Sequence, residues 1–435
     1  MACRCNEEYW AIGRLTAYLG VKMKAVVFTL GCKVNSRESS CLITGLKEKG
    51  YETSDRLEPA DVYIINTCAV TAEAEKKSRQ AIARAKRFNP NAKIYICGCA
   101  SQKNPEAFLI KGAKVVTGAK AKDKILDLLE MEGAFIEESD EYYEKYLPAK
   151  SSKTREYVKI QDGCNNFCSY CIIPYLRGRS RSRKIENIVE EIKALNAEEI
   201  VITGINVSAF DDNGKKLPHL LQALKHFDCR FRFGSLEVGV IDEELLEATK
   251  QLKDFAPHFH LSLQSGSDSV LKSMNRHYTT AEYEQKVNLI REFYPDAAIT
   301  TDIIVGYSTE TDENFKETVE FCDRICFADV HCFAYSVREG TAGAKLKKLP
   351  DDIKKKRLDE LLRKKEELKE KFVTKNLGKI LTVIPEEEID GYTVGYTENY
   401  LRVFVKGSLE GGKLKVKILQ KYHDGALAEV AQKCE

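Results

Sequence analysis

The stretch GCNNFCSYCIIPYLRGR, Gly163 to Arg179, sets Cys164, Cys168 and Cys171 within eight residues. No histidine lies between Ala100 and Lys216, so thiolates alone must do the holding. Gaps of three and two residues let a turn-rich loop wrap three thiolates around one object. A structural zinc takes four ligands, and a catalytic zinc takes three and a water. A cubane iron–sulfur cluster has four irons, so three thiolates leave one iron open to an outside ligand. The loop follows the strand-like run EYVKI. In barrel-like βα domains the chemistry gathers at the C-terminal ends of strands. That position favours a cluster over zinc, and both over idle thiols.

A second set is spread along the chain. Cys32, Cys68 and Cys99 each close a buried-strand run: VVFTLGC, VYIINTC and IYICGC. They are 36 and 31 residues apart, about one βα unit each. Equal positions on adjacent parallel strands, about 4.8 Å apart, bring them to one sheet edge. Ligand sites of open α/β sheets lie at that carboxyl edge. One such cysteine reads as a small buried residue. Three at matching strand ends read as ligands of a second cluster, again with one open iron. Cys97 lies within its strand and reads as packing, and Cys41, Cys229, Cys322, Cys326 and Cys332, in helix or strand patterns, read as core or surface thiols. Cys3, Cys5 and Cys434 are terminal and carry no assigned role.

Polar residues at later strand ends are candidates for binding what the open iron takes. TGINV offers Gly204, where a backbone can approach a ligand closely, and Asn206. GSLEV puts Ser235 and Glu237 on one face, because strand side chains alternate. LSLQSGSD supplies Gln264 and Ser265, and TTDIIVG supplies Asp302. Singly, each also reads as a buried capping residue. For a polyanion, the run RGRSRSRK offers Arg177, Arg179 and Arg181, with Arg183 and Lys184 beyond. GGKLKVKILQK alternates Lys413, Lys415 and Lys417 against Leu414, Val416 and Ile418, with Tyr392, Tyr396 and Tyr400 near for stacking.

The elements that must position these residues follow from periodicity. KAVVFTL, ADVYIINT, AKIYICG and AKVVTG read as buried strands separated by helices, a mostly parallel sheet. The segment EESDEYYEKYLPAKSSKTRE reads as a linker. EEIVITGINV, RFRFGSLEV, HFHLSLQS, AAITTDIIVG and DVHCFAYS then repeat the βα alternation, as in a complete or partial α/β barrel. DDIKKKRLDELLRKKEELKEKFVTKNLG reads as a solvated connecting helix, and the remainder as short strands of a small oligonucleotide-binding-like β-barrel. The fold class is therefore α/β with a C-terminal β-barrel. The domains are an extension over 1–22 without assigned role, a cluster domain over 23–145, a barrel domain over 150–371 and an RNA-binding domain over 372–435. Met23, just before the first strand, reads as the start of translation.

The 435 residues are 43% hydrophobic and 31% charged, with net charge +2, which excludes an overall polycation. Fifteen cysteines in no dense scaffold pattern point to a reducing compartment, hence the cytoplasm. No apolar run reaches the ~20 residues that span a bilayer. EYWAIGRLTAYLG, with Arg14 in its middle, does not read as a signal peptide.

The GCNNFCSYC loop resembles that of radical S-adenosylmethionine enzymes. The resemblance implies that S-adenosylmethionine chelates the open iron, and that one electron from the cluster releases a 5′-deoxyadenosyl radical. It also implies that Tyr170 packs against the adenine edge, that the Gly204 strand bonds the methionine amino group, and that Ser235, Glu237, Gln264, Ser265 and Asp302 complete the cofactor site. After Met23 the chain is similar to the methylthiotransferases, in LGCKVNSRES, INTCAVT, CGCASQ, GCNNFCSYCIIP, RGRSRSR, HLSLQSGSDSVLKSMNRHYT and YSVREGTAGA. Their order is a cluster domain, a radical domain and an RNA-binding TRAM domain. GCKVN resembles the branch acting on threonylcarbamoyladenosine in tRNA. Two departures are Ser308-Thr309, where the family has Pro-Gly, and SLEVGV, which lacks a proline. The implied enzyme uses two [4Fe-4S] clusters and S-adenosylmethionine. One molecule of the latter methylates a sulfur at the Cys32, Cys68 and Cys99 cluster, and another yields the radical. Its implied partners are tRNA and an electron-donor protein, with no membrane. The alternatives are methylthiolation of isopentenyladenosine or of a ribosomal protein, and a non-catalytic metal-stabilised RNA-binding protein.

Overall fold

The computed structural model describes residues 22–139, 154–409 and 411–433. Most of the expected extension, Cys3, Cys5, Cys434 and most of the expected linker lie outside these residues. The chain forms two compact units, residues 1–149 and 150–435.

The first unit is built on one parallel sheet. Its strands are β1 (Lys24–Thr29), β2 (Glu52–Ser54), β3 (Val62–Thr67), β4 (Lys93–Gly98), β5 (Val115–Thr117) and β6 (Gly133–Phe135), in the order β2-β1-β3-β4-β5-β6. The near-continuous apolar runs of β3 and β4 are what burial on both faces requires, and every residue of β3 is buried. Helix Lys33–Glu48 packs Leu42 and Leu46 against Val27 and Ile64 of the sheet. Helix Ala72–Phe88 starts where the Thr71 side chain accepts from the Ala74 N–H at 3.1 Å. The edge strands β2 and β6 are three residues each, too short to leave a periodicity in the sequence.

The second unit begins with β7 (Arg155–Asp162), β8 (Arg181–Ser182), β9 (Glu199–Gly204) and β10 (Arg230–Phe233), in the order β10-β9-β7-β8. A second sheet holds β11 (Ser235–Leu236), β12 (His258–Leu261), β13 (Ala298–Val305) and β14 (Asp329–Ala334) in sequence order, all parallel. Only Gly234 separates β10 from β11, so the two sheets continue into one another as a partial (β/α) barrel. Its outer core holds Ile160, Ile202, Phe233, Leu261, Ile303 and Val330 under the helices.

Five strands close the C-terminal barrel: β15 (Ile380–Ile389), β16 (Tyr392–Thr397), β17 (Arg402–Lys406), β18 (Leu414–Tyr422) and β19 (Gly425–Lys433), ordered β15-β16-β17-β19-β18. This barrel seats on the N-terminal ends of the partial barrel's strands. Thr154 Oγ1 donates to Pro385 O at 2.9 Å, and Arg230 donates to Thr382 O at 3.3 Å. Glu199, on β9, pairs with Arg155 at 2.7 Å and Arg232 at 2.8 Å. Arg155 also pairs with Glu386 of the small barrel.

Helix Asp351–Asn376 differs from the solvated connector expected. It buries Leu361 and Leu368 in the partial barrel's core, and Arg357 pairs with Glu310 at 2.6 Å. Its buried apolar positions, Leu361, Leu368 and Val373, are few and set among charges, which hid them. Among the described residues no helix is long and apolar enough to cross a membrane.

Candidate functional site

The loop after β7 is shaped by its backbone. Gly163 sits at φ +70°, and a Cβ there would lie 1.9 Å from Arg179 O, so only glycine fits. The Cys164 N–H donates to Gly178 O at 3.1 Å, and the Ser169 N–H to Met274 O at 2.9 Å. Asn275 Nδ2 donates to Asn166 O and Phe167 O, both at 3.1 Å. The segment SMNR thus clamps the cysteine loop.

Cys164, Cys168 and Cys171 face one cavity of about 150 Å³, together with Tyr170, Asn206, Ser235, Glu237, Gln264 and Arg276. A cavity of about 450 Å³ adjoins it through Asn166, Asn206 and Glu237. Arg276 donates to Cys168 Sγ at 3.3 Å and to Glu237 Oε1 at 3.1 Å. Asn166 donates to the same Glu237 oxygen at 2.5 Å, and Asn206 Nδ2 stands 3.9 Å from Cys164 Sγ. Burial pushes the Cys171 thiol up to about 12 and raises that of Cys164. Such thiols ionise as they take metal.

Arg276, Asn275 and Asn166 were not among the residues singled out from the sequence. Their signal was their place inside the stretches MNRHYT and GCNNF, which spacing alone does not interpret. Three other expected positions do not line the cavity. Gly204 lies one residue before the lining pair Ile205 and Asn206. Ser265 is buried and contacts Thr318 Oγ1 at 3.3 Å, because Gln264 at φ +74° breaks the strand alternation. Asp302 turns instead toward two histidines, 3.3 Å from His260 Nε2 and 3.6 Å from His331 Nδ1.

The first unit gathers the other three thiols at the carboxyl edge of its sheet. Cys32 caps the helix Lys33–Glu48, and Cys99 opens the helix Cys99–Lys103. Gly31, at φ +104°, presses so close that a Cβ would meet Cys68 Cβ and Sγ at 2.8 Å. Gly98, at φ +112°, would likewise meet Thr67 O at 2.3 Å. Burial raises the Cys68 thiol to about 11, and the neighbouring Cys99 and Cys32 add to the rise. Beneath them the buried Lys122 ammonium donates to Asn35 at 2.9 Å, Glu38 at 2.6 Å and Asn66 at 2.8 Å. Cys97 is core, as its place within β4 implies.

Both thiol sets fit an iron–sulfur cluster by donor chemistry. Among the described residues no three His, Cys, Asp or Glu side chains converge as for a single bound ion. A cubane takes each thiolate on a different iron and so accepts wider spacing.

The basic candidates divide. Arg177 is fully buried and pairs with Asp162 at 3.0 Å. Arg181 pairs with the same carboxylate at 2.9 Å and donates to Arg177 O at 2.7 Å. Both brace the cysteine loop instead of facing RNA, and Arg183 is paired with Glu191. Arg179 is exposed, its guanidinium 4.7 Å from the Phe167 ring. Along β18 the alternation holds: Leu414, Val416 and Ile418 are buried, and Lys415 and Lys417 are exposed. Lys413 differs, pairing with Asp254 of the partial barrel at 2.7 Å. Tyr400 stacks between His258 at 4.2 Å and Tyr396 at 4.6 Å, so these two tyrosines serve the contact between the barrels. Tyr392 lies 5.4 Å from Tyr422. The anionic partners lie on other elements, Asp162 on β7 and Asp254 159 residues before Lys413, which is why the basic run and the lysine stripe looked uniform.

Residues 158–322 match the Radical SAM superfamily, and residues 24–118 match the uncharacterized protein family UPF0004. The chain is 36% identical to threonylcarbamoyladenosine tRNA methylthiotransferase MtaB of Bacillus subtilis, over 94% of this chain and 98% of that protein. It is 39% identical to MtaB of Aquifex aeolicus, over 91% and 100%. The chain belongs to the radical S-adenosylmethionine methylthiotransferases. Another methylthiotransferase, tRNA-2-methylthio-N(6)-dimethylallyladenosine synthase of Thermodesulfovibrio yellowstonii, is 34% identical over 94% of this chain and 98% of that protein. Among solved structures, the radical S-adenosylmethionine methyltransferase TsrM of Kitasatospora setae shares the fold. Its TM-score is 0.53 at 13% identity, over 72% of this methylthiotransferase and 75% of that chain.

Proposed function

We propose that this methylthiotransferase converts N6-threonylcarbamoyladenosine, next to the tRNA anticodon, to its 2-methylthio derivative. The observation that carries the reading is the pair of separate three-thiol sites in a chain 36% identical to a threonylcarbamoyladenosine enzyme over nearly its whole length. Two [4Fe-4S] clusters and S-adenosylmethionine are its cofactors. Cys164, Cys168 and Cys171 hold one cluster, and Cys32, Cys68 and Cys99 the other. When bound, these groups supply the electron that cleaves the sulfonium, the radical that activates C2–H, and the sulfur that is methylated and transferred.

The chain's own residues bind and orient. Asn206, Ser235, Glu237, Gln264 and Tyr170 line the space beside the open iron and take the cofactor's polar groups. Gly204 lets the backbone approach it. Arg276 holds the Glu237 carboxylate and bonds the Cys168 sulfur, which places positive charge beside a ligand that becomes anionic. RNA is held through Lys415, Lys417 and Arg179. The assignment of a cluster domain over 23–145, a radical domain over 150–371 and a TRAM domain over 372–435 follows from these roles. An electron-donor protein supplies the electron, and the enzyme works in the cytoplasm, where tRNA and reduced thiols are.

Anaerobic reconstitution with stem-loop RNA bearing threonylcarbamoyladenosine tests the reading. Cys68→Ala is expected to form 5′-deoxyadenosine without methylthiolated product, and Cys168→Ala to form neither. Full product from Cys68→Ala makes the N-terminal thiols structural. Product on dimethylallyladenosine alone moves the enzyme to the branch of its 34% identical relative.

A further inference from the structure

A second surface is built on the outer side of the cysteine loop. Phe167 stands between the cavity residues Asn166 and Cys168 and adopts φ +47°, a left-handed conformation that bulky L side chains rarely take. It is held there from outside, since Asn275 Nδ2 donates to both the Asn166 and Phe167 carbonyls. Backbone outliers that their surroundings hold in place cluster at functional sites. Phe167 is not among the side chains that line the thiol cavity. Its ring meets Tyr175 and Arg179 instead.

The short helix Ile173–Arg177 turns one aromatic residue outward. Pro174, Leu176 and Arg177 are buried, whereas Tyr175 is 56% exposed. The Phe167 and Tyr175 ring centroids lie 5.6 Å apart with their planes at 83°, an edge-to-face pair. The Arg179 guanidinium lies over the Phe167 ring. Its backbone is fixed on both sides: the Arg179 carbonyl accepts from Arg181 at 3.3 Å, and the Ser180 N–H donates to Asn165 Oδ1 at 3.2 Å. Tyr175 is thus an exposed ring, buttressed by a second ring and flanked by an exposed guanidinium.

This platform forms the rim of the thiol cavity. Ile173, two residues before Tyr175, lines that cavity, as do Asn166 and Cys168 on either side of Phe167. A base that reacts in such a cavity must leave its stack, and its neighbour in the RNA then loses a stacking partner at the rim. An aromatic ring can replace that partner for any base, because every base has a π-face. A guanidinium beside the ring suits the phosphate that joins the two nucleotides.

We propose that Tyr175 stacks on the nucleotide next to the modified adenosine, in place of the extruded base, with Phe167 supporting the ring and Arg179 meeting the phosphate between the two nucleotides. The inference rests on the tRNA reading and names the surface that receives the neighbouring base.

The test uses the full-length reconstituted enzyme and two stem-loop RNAs, each with 2-aminopurine on one side of the target adenosine. Stacking quenches that fluorophore. At saturating protein, one of the two RNAs should stay dark with the wild type and brighten with Tyr175→Ala. Tyr175→Phe and Tyr175→Trp keep a ring and should stay dark, whereas Tyr175→Leu keeps apolar surface without a ring and should brighten. Tyr175→Ala should also bind RNA about 10-fold more weakly, the order of one base–aromatic stack. Arg179→Gln should lower the salt slope of binding by about one unit. Iron content and thermal unfolding report the folding of each variant, and if Tyr175→Ala loses iron the contrast of Leu with Phe decides. Equal fluorescence of the wild type and Tyr175→Leu on both RNAs overturns the assignment. So does a Tyr175→Ala defect confined to turnover with a protein reductant and absent with dithionite, which makes the platform an electron-donor surface. A wild type that binds neither RNA overturns the tRNA reading, and this inference with it.

Discussion

Replacing Gly31 by alanine separates the two thiol sites by a single methyl group. Gly31 adopts φ +104°, where an L side chain costs about 1–2 kcal/mol. The added Cβ would fall 2.8 Å from both Cβ and Sγ of Cys68, whereas non-bonded carbons settle at about 3.5–4.0 Å. Cys68 must therefore retreat by roughly 1 Å. It has little room, being 4% exposed, and its N–H is tied to Ser78 Oγ at 3.1 Å. Overpacking of this kind costs about 1–3 kcal/mol, so the first unit should lose about 2–5 kcal/mol in all. A displacement of about 1 Å is large against a metal–sulfur bond of about 2.3 Å. The expected outcome is a fall from about eight irons per chain to about four, with the N-terminal cluster's spectroscopic signal lost. Uncoupled cleavage of S-adenosylmethionine persists, because its thiols lie in the other compact unit, and methylthiolated RNA is not formed. Iron analysis, electron paramagnetic resonance and nucleoside mass spectrometry read these directly. A Gly31→Ala protein with full iron and normal product would refute the close-packed thiol edge.

Glu199→Gln should destabilise the second unit by about 3–5 kcal/mol, since it strands the buried Arg232 guanidinium and leaves Arg155 with Glu386 alone; denaturant unfolding checks this. Burial opposes ionisation of Glu199, but Arg232 and Arg155 outweigh it and hold its pKa below the usual value. Its contribution is therefore complete above the normal glutamate range and lost as pH falls through the lowered value, so the wild-type and variant stability curves should converge in acid. Lys415→Ala with Lys417→Ala should weaken RNA binding and reduce the salt slope by about two units, as titrations at several ionic strengths will read. Lys413→Ala should leave the slope unchanged, because its charge is spent on Asp254.

Much of this protein was determined by short-range pattern. Continuous apolar runs specified the parallel strands, and strict alternation in KLKVKI specified which lysines face out. The thiol sets were legible because equal positions on successive parallel strands share an edge, and because three cysteines in eight residues have few other uses. Tertiary structure alone decided which charges were free. Asp162 lies at the end of β7 and captures Arg177 and Arg181, and Asp254 captures Lys413 across 159 residues of chain. Sequence order does not carry such pairings, since Coulomb attraction depends on distance in space and on burial. The same holds for Arg276, which reaches Cys168 from 108 residues away. It holds as well for Asp302 and His331, which meet only because two parallel strands bring them into register.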